Sequence, residues 1–228
     1  MNKKSLLLWV VIFLWPLYGH SQMFSNLNLQ LRSGAALPVK ASHFEKYWFP
    51  GLHFGASLEL PLMEMISLKV DGGFSTFVFD HQTWRADLLG GFPDEVLEDA
   101  NDLVVNGANR YILEASVTAK IFPLKKEQNI NPYGIAGGGL VNMMTDDLLV
   151  GLGGPEFKTE LVPYAVAGLG TEIAYWDGFR FFGQVVYKYA LTKDENNLRF
   201  PLDLSEEYKS QETHILGIEF GIIFDLNQ

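Results

Sequence analysis

The chain has 228 residues, of which 48% are hydrophobic and 14% aromatic, it contains no cysteine, and it carries a formal net charge of −10 at pH 7. The lack of cysteine excludes disulfides and thiol chemistry. The negative charge argues against nucleic acid as a partner. After the N-terminal apolar run, no segment is apolar for long enough to form a membrane helix, which excludes a helical inner-membrane protein.

The N-terminus has the pattern of a secretory signal peptide. Two lysines precede an apolar core, Leu6–Leu17, that is too short to span a bilayer comfortably. Small residues at Gly19 and Ser21 suit cleavage before Gln22. We therefore predict a signal peptide at 1–21, with an uncleaved anchor helix as the alternative.

The remaining residues, 22–228, form one predicted domain in which eight stretches alternate apolar and polar side chains. The last stretch is the clearest, because five large apolar residues between Leu216 and Phe224 share one face while Glu219 lies on the other. Such a period of two indicates a strand whose two faces meet different surroundings. The predicted strands are 26–32, 51–60, 66–79, 110–122, 132–144, 160–175, 179–189 and 214–224.

The connections between these strands alternate between long and short. In an antiparallel barrel, this places every long connection at one end and both termini at the other, as in outer-membrane barrels. We therefore predict an all-β fold, an eight-stranded antiparallel up-and-down transmembrane β-barrel. Two alternatives stay open: a hairpin at Asn106-Gly107 that would add a ribbon within the second long connection or make ten strands, and a soluble barrel with the opposite polarity.

Charged residues recur on the less apolar face of the predicted strands, six cations against five anions. Side chains just fill an eight-stranded barrel, and buried charges are tolerable only when paired. A salt-bridged plug is therefore expected, with a narrow or gated ion path as the alternative. The facing of the fifth and sixth strands, and so of Glu172, is ambiguous because both are rich in glycine. The predicted lumen charge network is Arg32, Glu59, Lys69, Asp71, Arg110, Glu114, Lys120, Glu172, Arg180, Lys188 and Glu219.

The last strand resembles the assembly signal of Gram-negative outer-membrane barrels, in which a glycine is followed by spaced aromatic or apolar residues. The matching residues are Gly217, Phe220, Ile222 and Phe224. Here the chain continues through 225–228, whereas the family usually ends on the aromatic residue. With the glycine-rich stretches 133–139 and 164–170, the mature chain resembles small outer-membrane barrels related to the outer-membrane protein A barrel and the porin-family small barrels. The resemblance implies contact with outer-membrane lipid and lipopolysaccharide, and it names no substrate.

The sequence gives only weak signals for catalytic or metal-binding residues. We place His43 and His81 in exterior connections, and His53 and His214 near the exterior ends of the second and eighth strands. We interpret them as solvated loop histidines rather than catalytic ones, because no His-x-Ser pattern stands on a strand. The acidic segment after Pro93 indicates a short helix better than a cation site. We expect no catalytic residue, no metal and no cofactor.

Aromatic residues are predicted to form two girdles at the membrane interfaces. The outer girdle would contain Tyr47, Trp48, Phe49, Phe77, Phe79, Tyr187 and Tyr189. The inner girdle would contain Phe122, Tyr133, Tyr175, Trp176, Phe179 and Phe224.

The expected function is a structural or interaction role in the outer membrane: envelope integrity, adhesion, or an accessory subunit of an envelope complex that binds a protein through the exterior loops. A lipid-modifying barrel enzyme and a small-solute pore are the alternatives. For the last strand, we expect Ile218→Arg to be costly and Glu219→Gln to be much milder, because only the first puts a charge into lipid.

Overall fold

A computed structural model describes residues 27–40, 42–89, 109–124, 129–146, 157–176, 178–191 and 212–226. The predicted signal peptide, the segment after Pro93 and the Asn106-Gly107 pair lie outside these residues. The strands are β1 (Asn28–Lys40), β2 (Gly51–Met63), β3 (Ile66–Phe77), β4 (Arg110–Ile121), β5 (Ile130–Asp146), β6 (Phe157–Trp176), β7 (Phe179–Ala190) and β8 (Thr213–Asp225).

Two short helices lie in the connections at one end of the strands. Helix α1 (Ser42–Tyr47) follows β1, and helix α2 (His81–Leu89) follows β3. Among the described residues, no helix combines the length and the apolar character needed to cross a bilayer.

The eight strands form a closed barrel in which each strand pairs with its sequence neighbour and β1 pairs with β8. All pairs are antiparallel. The predicted fold class is therefore confirmed. Because β3 and β4 pair directly, from Ile66 opposite Ile121 to Phe77 opposite Arg110, no further strand lies between them and the ten-stranded alternative is wrong.

The two faces of the wall have opposite characters. Large apolar side chains point outward and are exposed, for example Leu169 (73%), Leu161 (65%) and Phe220 (62%). Charged and polar side chains point into the lumen and are buried. This polarity is the reverse of a soluble barrel and is typical of barrels that span membranes.

The first strand is longer than its pattern indicates. We predicted a connection at 33–50, but β1 continues to Lys40. A Cβ atom at Gly34 would lie 2.0 Å from the backbone oxygen of Ile218 on β8, so this inward position must be glycine. Ala36, two residues later, also faces inward. This part of β1 therefore has no polar side chains on its inward face, and its sequence does not show the alternation of apolar and polar residues that marks the other strands.

Strands β5 and β6 are also longer than predicted, with 17 and 20 residues. Their inward positions include the buried residues Ile135, Val141, Val162 and Val166. Both faces of these strands are therefore partly apolar, which explains why the sequence leaves their facing open.

Candidate functional site

The half of the lumen nearest the termini is filled by a set of polar side chains that we call the inner network: Gln30, Glu59, Lys120, Glu172, Arg180 and Asp225. The ammonium group of Lys120 lies 3.0 Å from Glu59 Oε2 and also donates to Glu172 Oε1. Arg180 donates to Glu172 over 2.5 Å and to Asp225 over 2.9 Å. Gln30 donates to the same carboxylate oxygen of Glu59 as Lys120 does.

Lys120 is the centre of the inner network. Its side chain is 1% exposed, and those of Glu59 and Glu172 are 0% and 1% exposed. The Nζ atom also lies 4.2 Å from the ring centroid of Tyr133 and 5.4 Å from that of Phe122, within the range of a cation–π interaction. The buried ammonium is thus surrounded by two carboxylates and two aromatic faces.

The middle of the lumen holds a second set, the central network: Arg32, His53, Lys69, Asp71, Glu114, Gln184, Lys188 and Glu219. Arg32 lies 2.9 Å from Asp71 and 3.1 Å from Glu219. Lys188 Nζ donates to both oxygens of Glu114, at 2.8 and 2.9 Å. Each of these buried charges faces at least one opposite charge, which is the condition under which buried ions are tolerated.

A serine, a histidine and a carboxylate meet within the central network. His53 and Ser75 are direct partners on β2 and β3, with 2.9 Å between Nδ1 and Oγ, and His53 Nε2 lies 3.4 Å from Glu219. However, Arg32 Nε donates to His53 Nε2 over 3.3 Å. The tautomer that satisfies both contacts therefore carries its proton on Nδ1 and donates to Ser75, the reverse of a histidine that activates a serine.

These three side chains are also enclosed. His53 is 1% exposed, Ser75 3% and Glu219 1%. Our interpretation of His53 as a solvated loop residue is therefore wrong. The predicted strand ends, 60 and 66, would have paired His53 with Gly73. In the structure, both strands pair differently at the turn, where the register is irregular between Pro61 and Met63, and His53 lies opposite Ser75.

The end of the lumen with the long connections is closed by an aromatic cap: Phe44, Tyr47, Trp48, Phe77, Phe79 and Trp84, with Arg110 beneath them. The Phe44 ring packs edge-on against Phe77 at 5.0 Å and against Trp48 at 5.6 Å. The Arg110 guanidinium carbon lies 4.5 Å and 4.8 Å from the ring centroids of Phe44 and Trp48. An isolated β-bridge between Trp48 and Phe79 joins the two connecting segments.

The cap corrects the girdle prediction. The four residues Tyr47, Trp48, Phe77 and Phe79 are at most 3% exposed, because the segments that carry them fold over the mouth of the barrel. At the other end, Phe122 and Tyr133 are likewise buried, beside Lys120. Phe49 and Tyr187 do lie on the outside, 51% and 41% exposed. The side chains of Tyr175 and Trp176 are outside the described residues.

Little space remains inside the barrel. A cavity of about 20 Å³ lies beside Arg32, Glu114 and Lys188 in the central network. This volume is enough for about one water molecule.

All eleven predicted lumen charges point into the barrel, but they do not form one set. Four belong to the inner network and six to the central network, while Arg110 lies in the cap. Glu172 faces inward, which the sequence left open. Among the predicted assembly-signal residues, Gly217 faces the lumen and the other three face outward; their role in assembly stays a prediction.

Sequence reasoning missed several members of the networks. Asp225 was placed in a tail, yet it ends β8 and binds Arg180. Gln30 and Gln184 were overlooked because they carry no charge, although Gln184 donates to Glu219 over 2.6 Å. Within the described part of the chain, no group of three or more histidine, cysteine or acidic residues is arranged to hold a metal ion.

Comparison with known proteins identifies the fold and little more. No family model matches the chain, and no curated protein matches it. Neisserial surface protein A is similar with a TM-score of 0.54 and 10% identity, over 88% of this chain and 97% of that one. A major outer membrane protein from Thermus thermophilus is similar with a TM-score of 0.52 and 11% identity, over 87% and 98% of the two chains.

The fold is thus that of small outer-membrane β-barrels. The outer membrane protease OmpT from Escherichia coli is also similar, with a TM-score of 0.43 and 10% identity over 88% of this chain and 97% of that one. A likeness this weak carries no inference about activity. At these identities the shared property is the barrel, and function has to be argued from the site.

Proposed function

We propose that this chain is an outer-membrane β-barrel with a structural or interaction role: envelope integrity, adhesion, or an accessory subunit of an envelope complex. The observation that carries the proposal is a lumen occupied by buried, paired charges and covered at one end by an aromatic cap. With these side chains engaged with one another, the surfaces left for function are the wall and the end with the long connections.

The placement in a membrane is supported by the wall itself. Exposed leucine, isoleucine, valine and phenylalanine side chains cover it along whole strands, which suits contact with hydrocarbon. Outer-membrane lipid and lipopolysaccharide are the partners that such a wall would meet. A protein partner would bind at the exterior connections, and the net charge of −10 makes nucleic acid an unsuitable ligand.

The placement can be tested by surface proteolysis. Trypsin added to intact cells should cut at Lys193 or Lys209, which the sequence places in the fourth long connection, and should spare an epitope tag placed after Gln228. Mass mapping of the fragments gives the result. A tag that antibody detects on unpermeabilised cells would contradict the orientation, and a protein recovered in the soluble fraction would contradict the membrane placement.

The pore alternative can be tested by conductance. The purified barrel in planar bilayers should give no stable conductance steps, because the charges in the lumen are paired with one another. A Lys120→Ala, Arg180→Ala double variant, which removes both cations of the inner network, provides the control for a partly opened lumen. Steady conductance from the wild-type barrel at the level of this variant would favour the small-solute pore.

A lipid-modifying enzyme is the second candidate, and the Ser75–His53–Glu219 set is the observation in its favour. A fluorophosphonate probe labels serines that a neighbouring base activates. We expect no labelling of the wild-type barrel in vesicles, since Ser75 is enclosed and His53 donates to it. Labelling that disappears in Ser75→Ala and persists in a Ser57→Ala control would favour the enzyme.

A further inference from the structure

A groove of about 770 Å³ crosses the outward face of the barrel over β1, β6, β7 and β8. Its outward-facing apolar lining consists of Leu31, Ile173, Phe181, Phe220, Ile222 and Phe224. Of the members of the networks and the cap, only Arg32 is among its lining residues, and the Arg32 side chain is buried in the lumen.

The groove arises from one row of small residues. Strand register places Ser33 opposite Phe220, Phe220 opposite Gly183, and Gly183 opposite Thr171. Gly183 has no side chain, and Ser33 and Thr171 have short ones, so the wall is thin along this row. The Phe220 ring is the exception, and it forms one side of the groove: a Cβ atom at Gly183 would lie 3.3 Å from it.

The width of the groove limits what can fill it. Along β7, the groove is lined by Phe181, Phe182 and Gly183, and Phe182 is buried on the lumen side. The groove therefore spans two outward positions of β7, which are about 7 Å apart along the strand. This is less than the diameter of about 10–12 Å of a helix with its side chains, so a whole helix cannot lie inside the groove at β7, whereas a single extended chain can.

The surroundings of the groove favour hydrocarbon. Leu169 and Val185 continue the apolar wall on one side of the groove, 73% and 47% exposed, and Phe224 continues it on the other, 37% exposed. Whatever contacts this wall also has access to the groove. For a barrel in a membrane, that is the acyl chain of a lipid, which is narrow and flexible.

The geometry points to a lipid-retention site: one acyl chain of a membrane lipid lies in this groove, across Gly183 and against Phe181 and Phe220. The inference rests on the membrane placement proposed above. It separates this sector of the wall from the rest, where lipid chains are expected to exchange without preference.

Photolabelling can locate such a chain. The full-length mature barrel is reconstituted in phosphatidylcholine vesicles that contain a phosphatidylcholine with a diazirine on one acyl chain. Digestion after illumination and unfolding yields residues 181–188, between Arg180 and Lys188, and residues 70–85, between Lys69 and Arg85. Both peptides contain outward-facing wall residues, but only the first lies at the groove. We expect labelling concentrated in 181–188.

Two glycine variants make the test specific. Gly183→Leu fills the groove. Labelling of its peptide 181–188 by the lipid probe should be about tenfold lower than in the wild type, the range of effect that one side-chain change produces in an apolar pocket. Gly72 faces outward on β3 with no atom within 4 Å of its Cβ position. Gly72→Leu should therefore leave labelling of 181–188 unchanged.

The outcomes separate the two proposals. Equal labelling of 70–85 and 181–188, or no loss in Gly183→Leu, would overturn the lipid site while leaving the membrane barrel intact. A wild-type barrel that fails to insert, judged by its heat-modifiable migration in gels, would overturn the membrane placement instead. If Gly183→Leu does not insert, Phe220→Ala removes one side of the groove and should also reduce labelling of 181–188.

Discussion

The two ends of the lumen are closed by different interactions. At the inner end, Lys120 lies between the carboxylates of Glu59 and Glu172, and every member of the network is carried by a strand. At the other end, aromatic rings pack on one another and on Arg110, and many of them belong to connecting segments. One closure is part of the barrel and the other is placed on top of it.

The difference concerns how each closure can fail. Removing one member of a buried ion pair leaves an uncompensated charge, which costs about 3–5 kcal/mol. An aromatic pair contributes only about 0.5–1.5 kcal/mol beyond its buried area, and segments outside the strands can open locally while the rest stays folded. We therefore expect a substitution in the inner network to destabilise the whole barrel. A substitution in the cap should mainly promote local opening of the cap.

The largest expected effect is at Lys120. Lys120→Met should lower the free energy of unfolding by about 3–5 kcal/mol, because Glu59 and Glu172 lose the ammonium group that lies between them and only Glu172 keeps its contact with Arg180. Urea unfolding from lipid vesicles, followed by tryptophan fluorescence, measures it. Lys40→Met, at an exposed position at the end of β1, is the matched control and should change stability little. A double variant Lys120→Met, Glu59→Gln leaves the Glu172–Arg180 pair in place and should recover part of the loss; no recovery would contradict the pairing of Lys120 with Glu59.

The next effect concerns neighbouring residues of β8 that face opposite ways. Ile218→Arg should cost about 2–4 kcal/mol, because the cation would lie in hydrocarbon. The sequence suggested that Glu219→Gln would be much milder. The structure changes this expectation, since Glu219 contacts Arg32 at 3.1 Å and Lys188 at 3.4 Å. Its loss should cost about 3 kcal/mol, at the lower end for a broken buried pair, because Arg32 keeps Asp71 and Lys188 keeps Glu114. Refolding titrations of both variants into lipid vesicles measure their free energies of unfolding. A Glu219→Gln variant as stable as the wild type would mean that the contacts with Arg32 and Lys188 contribute little to stability.

A smaller global effect is expected in the cap. Phe44→Ala removes two aromatic contacts, one cation–π contact and a fully buried ring, a change that costs about 3–5 kcal/mol in a packed core. Because the cap can open locally while the barrel stays folded, the loss of global stability should be smaller than that of Lys120→Met. The main effect of Phe44→Ala should be local. Amide exchange near Trp48 and Phe79 should accelerate while exchange in the inner network stays slow. Equal acceleration at both ends would show that the two closures are one cooperative unit.

The smallest effect is at the start of α2. The Asp80 carboxylate accepts hydrogen bonds from the Thr83 hydroxyl at 2.6 Å and from the backbone N–H groups of Thr83 and Gln82 at 3.0 and 3.1 Å. These bonds, with that of the Thr83 hydroxyl foremost, lower the pKa of Asp80 below its ordinary value of 3.8. Asp80→Ala should destabilise the helix by about 0.5–1 kcal/mol, and Asp80→Asn by less.

The lowered pKa of Asp80 also gives a pH dependence. Because the carboxylate is favoured in the folded helix, its stabilisation is complete above the ordinary pKa and is lost as the pH falls through the lowered one. Amide exchange of α2 should therefore become less protected in acid in the wild type. The Asp80→Asn variant should lack this change, and an identical acid response in both proteins would rule out Asp80 as its source.

The sequence predicts the barrel well because its main signals are local. Alternation along each strand gives the two faces, and alternating connection lengths give the topology. The charged positions follow from the same pattern, since a charge on the less apolar face points into the lumen. None of these inferences needs knowledge of which strands approach most closely.

The features that the sequence missed depend on contacts between distant segments. Aromatic residues such as Trp48 and Phe79 suit a membrane interface and a cap equally well, and only the fold of the connections decides between them. Likewise, Arg110 and Lys120 look equivalent on β4, but one meets aromatic rings and the other meets two carboxylates. The division into two networks and a cap arises from the three-dimensional arrangement.

The long β5–β6 pair makes the outer contour of the molecule uneven. The ladder between β6 and β7 begins at Tyr164 opposite Ala190, yet β6 starts at Phe157 and pairs with β5 from that residue onward. Residues 157–163 of β6 therefore extend about 23 Å along the strand beyond the ladder with β7. On the other side, β4 accompanies β5 up to Arg110 opposite Thr145, so the described rim steps down between β6 and β7 and stays nearly level between β5 and β4. A large body approaching the mouth, such as an antibody, would therefore meet the β5–β6 side of this step before the β7 side.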